Sequence, residues 1–243
     1  MAYLIWQGIG LLKGKVNADV VKYAGFALGG AVILVSAVIV FARSVDWEND
    51  INLYLTDVKA VPNSAPAQMR CGVSCINLAD SIEKKHVDSL KSDEHGYYLQ
   101  QAISHLKKSI TIYPGYGDGY INLTVAYINA RQYYDAEGAL AHAQELHPDH
   151  PKLKELVNTI GHILMDSAMI SGGRGHFDSS LAYLKRAEVH LAGNADLYYN
   201  YGGYYYTSKN YPKAREYWEK TVKVNPTYQP AIQGLNALSA AGM

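Results

Sequence analysis

Residues 23–42, YAGFALGGAVILVSAVIVFA, form a long apolar run without a charged side chain. At 1.5 Å per helical residue, about 20 residues cross the ~30 Å hydrocarbon core of a bilayer, so this run is expected to be a transmembrane helix. A cleaved signal peptide is the competing reading. It fits less well, because 22 residues precede the run and no small-x-small site follows it. Met1–Leu12, MAYLIWQGIGLL, is apolar but too short to span, and Lys13 and Lys15 follow it. Residues 1–22 therefore read as a lead, either an amphipathic segment or the remnant of an earlier membrane helix. From Asp46 onward the pattern changes to apolar residues at three- and four-residue spacing, interrupted by turn residues, which predicts helices throughout.

The clearest register is in Asp196–Tyr228, DLYYNYGGYYYTSKNYPKAREYWEKTVKVNPTY. Tyr198, Tyr201 and Tyr205 recur at helical spacing around Gly202. The turn Ser208–Pro212 follows, then Ala214, Trp218 and Thr221, and Pro226 ends a second helix. Small residues at Gly202 and Ala214 let two helices approach while aromatic residues fill the space around them. The same register returns upstream. Gly161–Asn194 carries Leu164, Ala168, Ser180, Leu184 and Ala187, and Gly117–His150 carries Tyr120, Leu123, Thr124, Tyr127, Ala136, Leu140, Ala143 and Pro148. A stretched copy, Ala65–Tyr116, has Gly72, Ala102, Leu106, Ser109 and Pro114, and a half copy, Asp50–Pro62, keeps only a second helix. The starts at 161 and 195 lie one period of about 34 residues apart, and this pattern resembles the tetratricopeptide repeat. The resemblance implies an all-α fold: one transmembrane helix, then a right-handed superhelix of about four helical hairpins over residues 46–228, then a capping helix over 229–243.

Two stretches exceed the repeat. Residues 79–95 are charged and are expected to lengthen both flanking helices or to project as a solvated loop; Pro151–Ile160 should start the next first helix early. No flexible linker separates the apolar run from Asp46, so the first hairpin is expected close to the bilayer. Lys13, Lys15 and Lys22 precede the span and Asp46, Glu48 and Asp50 follow it. The positive-inside rule then puts the N-terminus in the cytoplasm and the repeats outside. Gly25, Gly29 and Gly30 include a small-x-x-x-small pair suited to packing on other membrane helices, although glycine is common in such spans.

Charge narrows the partners. Twenty-two basic and 22 acidic residues cancel, which leaves no basic stripe for nucleic acid. Twenty-one tyrosines against three phenylalanines favour side chains that pack and still hydrogen-bond. Cys71 and Cys75 share a helix face near the upper limit for a disulfide, and read as two small buried residues. Among nine histidines, His147-Pro-Asp-His150 lies at a repeat boundary, where exposed polar residues are ordinary, and no metal or cofactor is assigned. The glycine-rich GGRGH at Gly172–His176 reads as a turn, since a phosphate loop would need a preceding strand and a Gly-Lys-Ser/Thr ending. Asn122-Leu-Thr124 matches a glycosylation acceptor but falls inside a helix. No nucleophile with a base emerges, and an enzyme is not expected.

In tetratricopeptide domains, ligand peptides lie along the first helices, against the second, fifth, ninth, twelfth and thirteenth residues of each repeat. Carried over, the fifth positions are Met69, Ile121, Met165 and Tyr199, the ninth are Val73, Val125, Met169 and Gly203, and Tyr206 is a twelfth. The lysine, arginine and asparagine set with which chaperone-binding members clamp a carboxylate is missing. The resemblance thus implies a membrane-anchored scaffold with an apolar, tyrosine-rich groove for a protein or peptide segment, unless these side chains pack only on neighbouring helices. A narrower likeness covers residues 23–68. Trp47, Glu48 and Asp50 after the span, then Pro62, Asn63, Ser64 and Ala65, resemble the junction in polytopic tetratricopeptide proteins of the protein O-mannosyltransferase-like class. That likeness implies the non-catalytic end of a glycosyltransferase as the alternative.

Overall fold

The computed structural model describes residues 18–44, 50–85 and 92–242; the lead Met1–Leu12, the Trp47–Glu48 pair and the middle of the charged stretch, 86–91, lie outside the described residues. Among the described residues there are eleven helices and no strand, and the chain divides into two compact units at Ala60.

The first unit holds α1 (Ala18–Ser44) and α2 (Asp50–Ala60). Residues 22–41 of α1 are long and apolar enough to cross a membrane by length and composition, and none of that stretch is buried within the protein. Phe26, Ile33 and Phe41 all face outward. In α2, Lys59 lies in the last turn, where a cation complements the helix dipole.

The second unit comprises α3 (Ala65–Lys85), α4 (Ser92–Ile112), α5 (Gly117–Asn129), α6 (Tyr133–Leu146), α7 (Lys152–Gly173), α8 (Phe177–His190), α9 (Ala195–Thr207), α10 (Tyr211–Val224) and α11 (Gln229–Ala240). Four hairpins, α3/α4, α5/α6, α7/α8 and α9/α10, stack in chain order with α11 on α10. The first helices also touch in succession, α3 on α5, α5 on α7 and α7 on α9, in a superhelical array.

The turns repeat as regularly as the helices. Arg131, Gly175 and Lys209 occupy one place in three repeats, and all three have the left-handed backbone, φ 57°, 79° and 61°. The next amide reaches back to close the helix: Gln132 N–H donates to the Tyr127 carbonyl, His176 to Ser171 and Asn210 to Tyr205. This is the Schellman ending, which satisfies carbonyls the helix would otherwise leave open. Only the middle repeat spends a glycine there, so GGRGH is the same turn in its least strained form.

Side-chain packing follows the small-and-large pattern. Leu106, Leu140, Leu164, Leu184 and Leu197 are fully buried. Two buried serines bond across the hairpins: the Ser109 hydroxyl donates to the Ala65 carbonyl and the Ser180 hydroxyl to the Ala168 carbonyl, each at 2.8 Å. A Cβ on Gly72 would meet Leu106, one on Gly161 would meet Leu191, and one on Gly202 would meet Trp218, all within 2.6 Å. At Gly202 it is the indole, not a facing backbone, that demands the glycine. Tyr201 and Tyr205 stack on Tyr217 at 4.8 and 5.4 Å. Between hairpins, Arg186 and His190 of α8 both engage the Glu137 carboxylate of α6, joining consecutive second helices.

The charged stretch is more than a solvated face. Residues 79–85 continue α3 and residues 92–95 open α4, with Ala79 and Ile82 buried. Asp80 accepts a 2.9 Å hydrogen bond from the Asn129 amide, so the lengthened α3 reaches the far end of α5. Burial there raises the Asp80 carboxyl above its ordinary range. Pro151 sits just before α7, whose early start at Lys152 gives a 22-residue first helix.

Candidate functional site: a cleft between first helices

The stack leaves a cleft of about 200 Å³ where α7, α8 and α9 meet. Its walls are the last turns of the two first helices, with Met169, Gly172 and Gly173 on α7 and Gly203, Tyr204 and Thr207 on α9; Ala168 and Leu184 form an apolar floor. The space exists because side chains are missing. A Cβ at Gly173 or Gly203 would meet nothing within 4 Å. Met169 and Gly203 fill ninth places of their repeats, Gly172 a twelfth, and Gly173 and Thr207 thirteenth places, so the cleft lies on the face where the tetratricopeptide resemblance put a ligand.

Three polar side chains of the lining are already engaged. Ser180 donates to Ala168, Thr207 to the Gly203 and Tyr204 carbonyls, and the Asn200 amide to the Asp196 carbonyl at 2.8 Å. Burial, then the nearby Tyr205 and Asp178, raises the Tyr204 phenol above its ordinary value, so it is a neutral group near pH 7. The lining pairs no hydroxyl with a base. What it offers is a small apolar recess with a methionine on the rim, and methionine adapts to irregular surfaces.

The residues singled out from the sequence fall into three groups. Ile121 and Met165 are 2% and 4% exposed and pack inside the stack, with Met165 Sδ 3.8 Å from the Asn200 amide. Met69, Val73, Val125 and Tyr199 are half-buried; Tyr199 stacks on Trp218 and lies 5.2 Å from the Tyr228 ring. Met169 and Tyr206 are 53% and 43% exposed. Met169 lines the cleft, whereas Tyr206 packs on Tyr211 and Trp218. Gly172 and Gly173, which the sequence reads as part of a turn, stand in the last turn of α7. Their signal was their place in the register, which puts them at the open end of a first helix.

Other sequence features resolve locally. Cys71 and Cys75 are free and buried, and their mutual hydrogen bond together with burial raises the Cys71 thiol. Asn122 donates to the Asp118 carbonyl within α5 and Thr124 is buried.

Comparison with known proteins agrees with this architecture. Tetratricopeptide repeat family models match residues 99–160 and 195–228. No curated protein sequence matches the chain. Among solved structures, a TPR repeats protein from Bacteroides fragilis superposes with a TM-score of 0.55 at 14% identity, over 82% of this chain and 95% of that one. MamA gives a TM-score of 0.43 at 16% identity over 78% and 88% of the two chains. YrrB, described as a TPR protein with an unusual peptide-binding site, gives 0.34 at 16% over 74% and 96%. At 14% identity the likeness to the Bacteroides fragilis protein is one of fold. The recurrent hairpins, their shared turns and the matching family models together establish that residues 99–160 and 195–228 of this chain are tetratricopeptide repeats.

Proposed function

We propose that this protein is a membrane-anchored scaffold that holds an extended protein segment along its first helices, with one apolar side chain of that segment seated in the α7–α8–α9 cleft. The observation that carries the reading is the recess itself: three glycines at ligand-facing places over a floor of Ala168 and Leu184, beside exposed Met169. A protein interior seldom leaves such space on a packed face unless something else fills it. The engagement of the Ser180 and Thr207 hydroxyls by carbonyls favours binding over reaction. The exposed apolar surface of α1 supports its use as a bilayer span, because a row of such side chains is costly in water. With lysines before the span and carboxylates after it, the N-terminus is cytoplasmic and the repeats are extracytoplasmic.

Selection of random displayed peptides on the full chain in detergent tests this reading. Wild-type protein should enrich sequences with a recurrent large apolar anchor, and Gly203→Leu, which fills the recess from an unobstructed position, should lose them while keeping its helical content. Equal enrichment by both would remove the cleft as the site. The junction likeness supports a second reading, the partner-binding end of a protein O-mannosyltransferase-like enzyme. In-frame apolar segments in the DNA directly upstream of the Met1 codon would favour it.

A further inference from the structure

We propose that Asp118, His147 and His150 bind a divalent transition-metal ion of the zinc type, which ties the first turn of α5 to the turn between α6 and α7. Asp118 opens the repeat that His147 and His150 close, far from them in sequence, yet each of the three side chains places a ligand atom within 4.8 Å of the others. His150 Nε2 stands 3.9 Å from Asp118 Oδ1, and the two imidazole rings are 5.5 Å apart, tilted by 43°. Two imidazoles and one carboxylate suit a borderline cation such as zinc, whereas magnesium and calcium prefer all-oxygen shells. Zinc holds nitrogen and oxygen ligands at about 2.0–2.2 Å, so tetrahedral neighbours lie about 3.3 Å apart and the present separations need to close by about 1.5 Å at most.

Comparison among the repeats of the same chain makes the cluster stand out. His147 and His150 begin and end the turn that closes the repeat, the places of Leu191 and Asn194 in the next repeat and of Asn225 and Tyr228 in the last. The backbone is the same in all three: His150 N–H donates to the His147 carbonyl, Asn194 to Leu191 and Tyr228 to Asn225. In the last repeat the joint is closed directly, the Tyr228 hydroxyl donating to Asp196 Oδ1 at 2.8 Å. Asp118 and His150 occupy those two places here. Their 3.9 Å separation is too long for a hydrogen bond, and the additional imidazole of His147 stands beside the gap. His147 is held against Gly117, where a Cβ would come within 3.0 Å of its own, as Leu191 is held against Gly161.

Loading has one identifiable cost. The Lys152 N–H donates to His150 Nδ1 at 3.2 Å, which places the ring proton on Nε2. Binding through Nε2 moves the proton to Nδ1 and hands the Lys152 amide to water, which an exposed first-turn amide tolerates. Three protein ligands leave one position for water or for a side chain of a partner.

The test uses the full chain in detergent without a histidine tag. Zinc titration by calorimetry should give one site per chain, and cobalt should give the visible absorption of a tetrahedral complex. His147→Ala and Asp118→Asn should each weaken zinc at least tenfold. His150→Tyr recreates the Tyr228–Asp196 pair; it should keep the zinc-free melting temperature and lose the zinc-induced rise of the wild type. His142→Ala, an exposed imidazole on Tyr120 outside the cluster, should change neither. Absence of wild-type binding at micromolar zinc, or undiminished binding in both His147→Ala and His150→Tyr, would overturn the assignment.

Discussion

Gly202 and Gly203 are adjacent on one helix, yet the structure gives them opposite responses to the same substitution. An added Cβ at Gly202 would lie 2.2 Å from Trp218 Cδ1 and 2.3 Å from Nε1, so the indole must retreat by about 1 Å or more to restore ordinary contact. It has nowhere to go. Across the ring, a Cβ at Gly234 would already be 2.7 Å from Cε3, and Tyr199 and Tyr206 pack on the remaining surface. Retreat also lengthens the 3.3 Å bond from Nε1–H to the Tyr199 carbonyl. Overpacking costs about 1–3 kcal/mol and the weakened hydrogen bond up to about 1 kcal/mol, against roughly 1 kcal/mol gained when alanine replaces a helical glycine. Gly202→Ala should therefore destabilise by up to about 3 kcal/mol. Gly203→Ala, with no neighbour within 4 Å, should stabilise by about 0.5–1 kcal/mol. Urea unfolding of residues 61–243, followed by circular dichroism and by the fluorescence of Trp218, the one tryptophan in that stretch, measures both. A Gly202→Ala that stabilises as much as Gly203→Ala would refute the clamp on Trp218. So would an equal cost in a Trp218→Leu background, where the clash is removed.

Other outcomes follow from the same coordinates. The proposed topology predicts that Asp93→Cys, at an exposed position, reacts with an impermeant maleimide on intact cells while buried Cys71 and Cys75 stay silent; labelling only after lysis would reverse the orientation. Burial and the Asp196 bond push the Tyr228 phenol up to about 12, and burial with Glu188 raises Tyr201 too. Because these phenols are held neutral in the fold, their stabilisation is complete below the ordinary phenol value near 10 and is lost as pH rises through about 12. Phenolate absorbance should show tyrosines that titrate late, together with loss of helix. Titration of every tyrosine near pH 10 with the fold intact would contradict the burial.

Much of the architecture was legible because it is written in local periods. The three-and-four spacing, the small residues at Gly72, Ala168 and Gly202, and the turn residues sit within one hairpin of each other, so a repeated register exposes both helices and their contact. The cleft was partly legible: Met169 and Gly203 came from the register, whereas Gly172 and Gly173, in twelfth and thirteenth places, read as a turn, since a glycine declares itself as empty space only when its surroundings are known. Whether Ile121 and Met165 face a ligand or pack on neighbouring helices was left open by the sequence, because their places in the repeat are shared with residues that stay half exposed, and only the closeness of the neighbouring helix decides between the two. Residues 79–95 read either as an extension of both flanking helices or as solvated charge. Ala79 and Ile82 turn that stretch into core, because the lengthened helices bring their apolar edge against each other and Asp80 against Asn129.

The sequence by itself determined the all-helical repeat, the places where hairpins turn and the apolar run of α1, since each depends on residues within about one helical hairpin. Tertiary structure alone decided what meets across the stack: Trp218 between Gly202 and Gly234, Glu137 with Arg186 and His190, and Asp118 with His147 and His150. Those encounters join positions far apart in the chain, and a few degrees of rotation between neighbouring helices sets them. No local pattern encodes that rotation; the packing of whole side chains does.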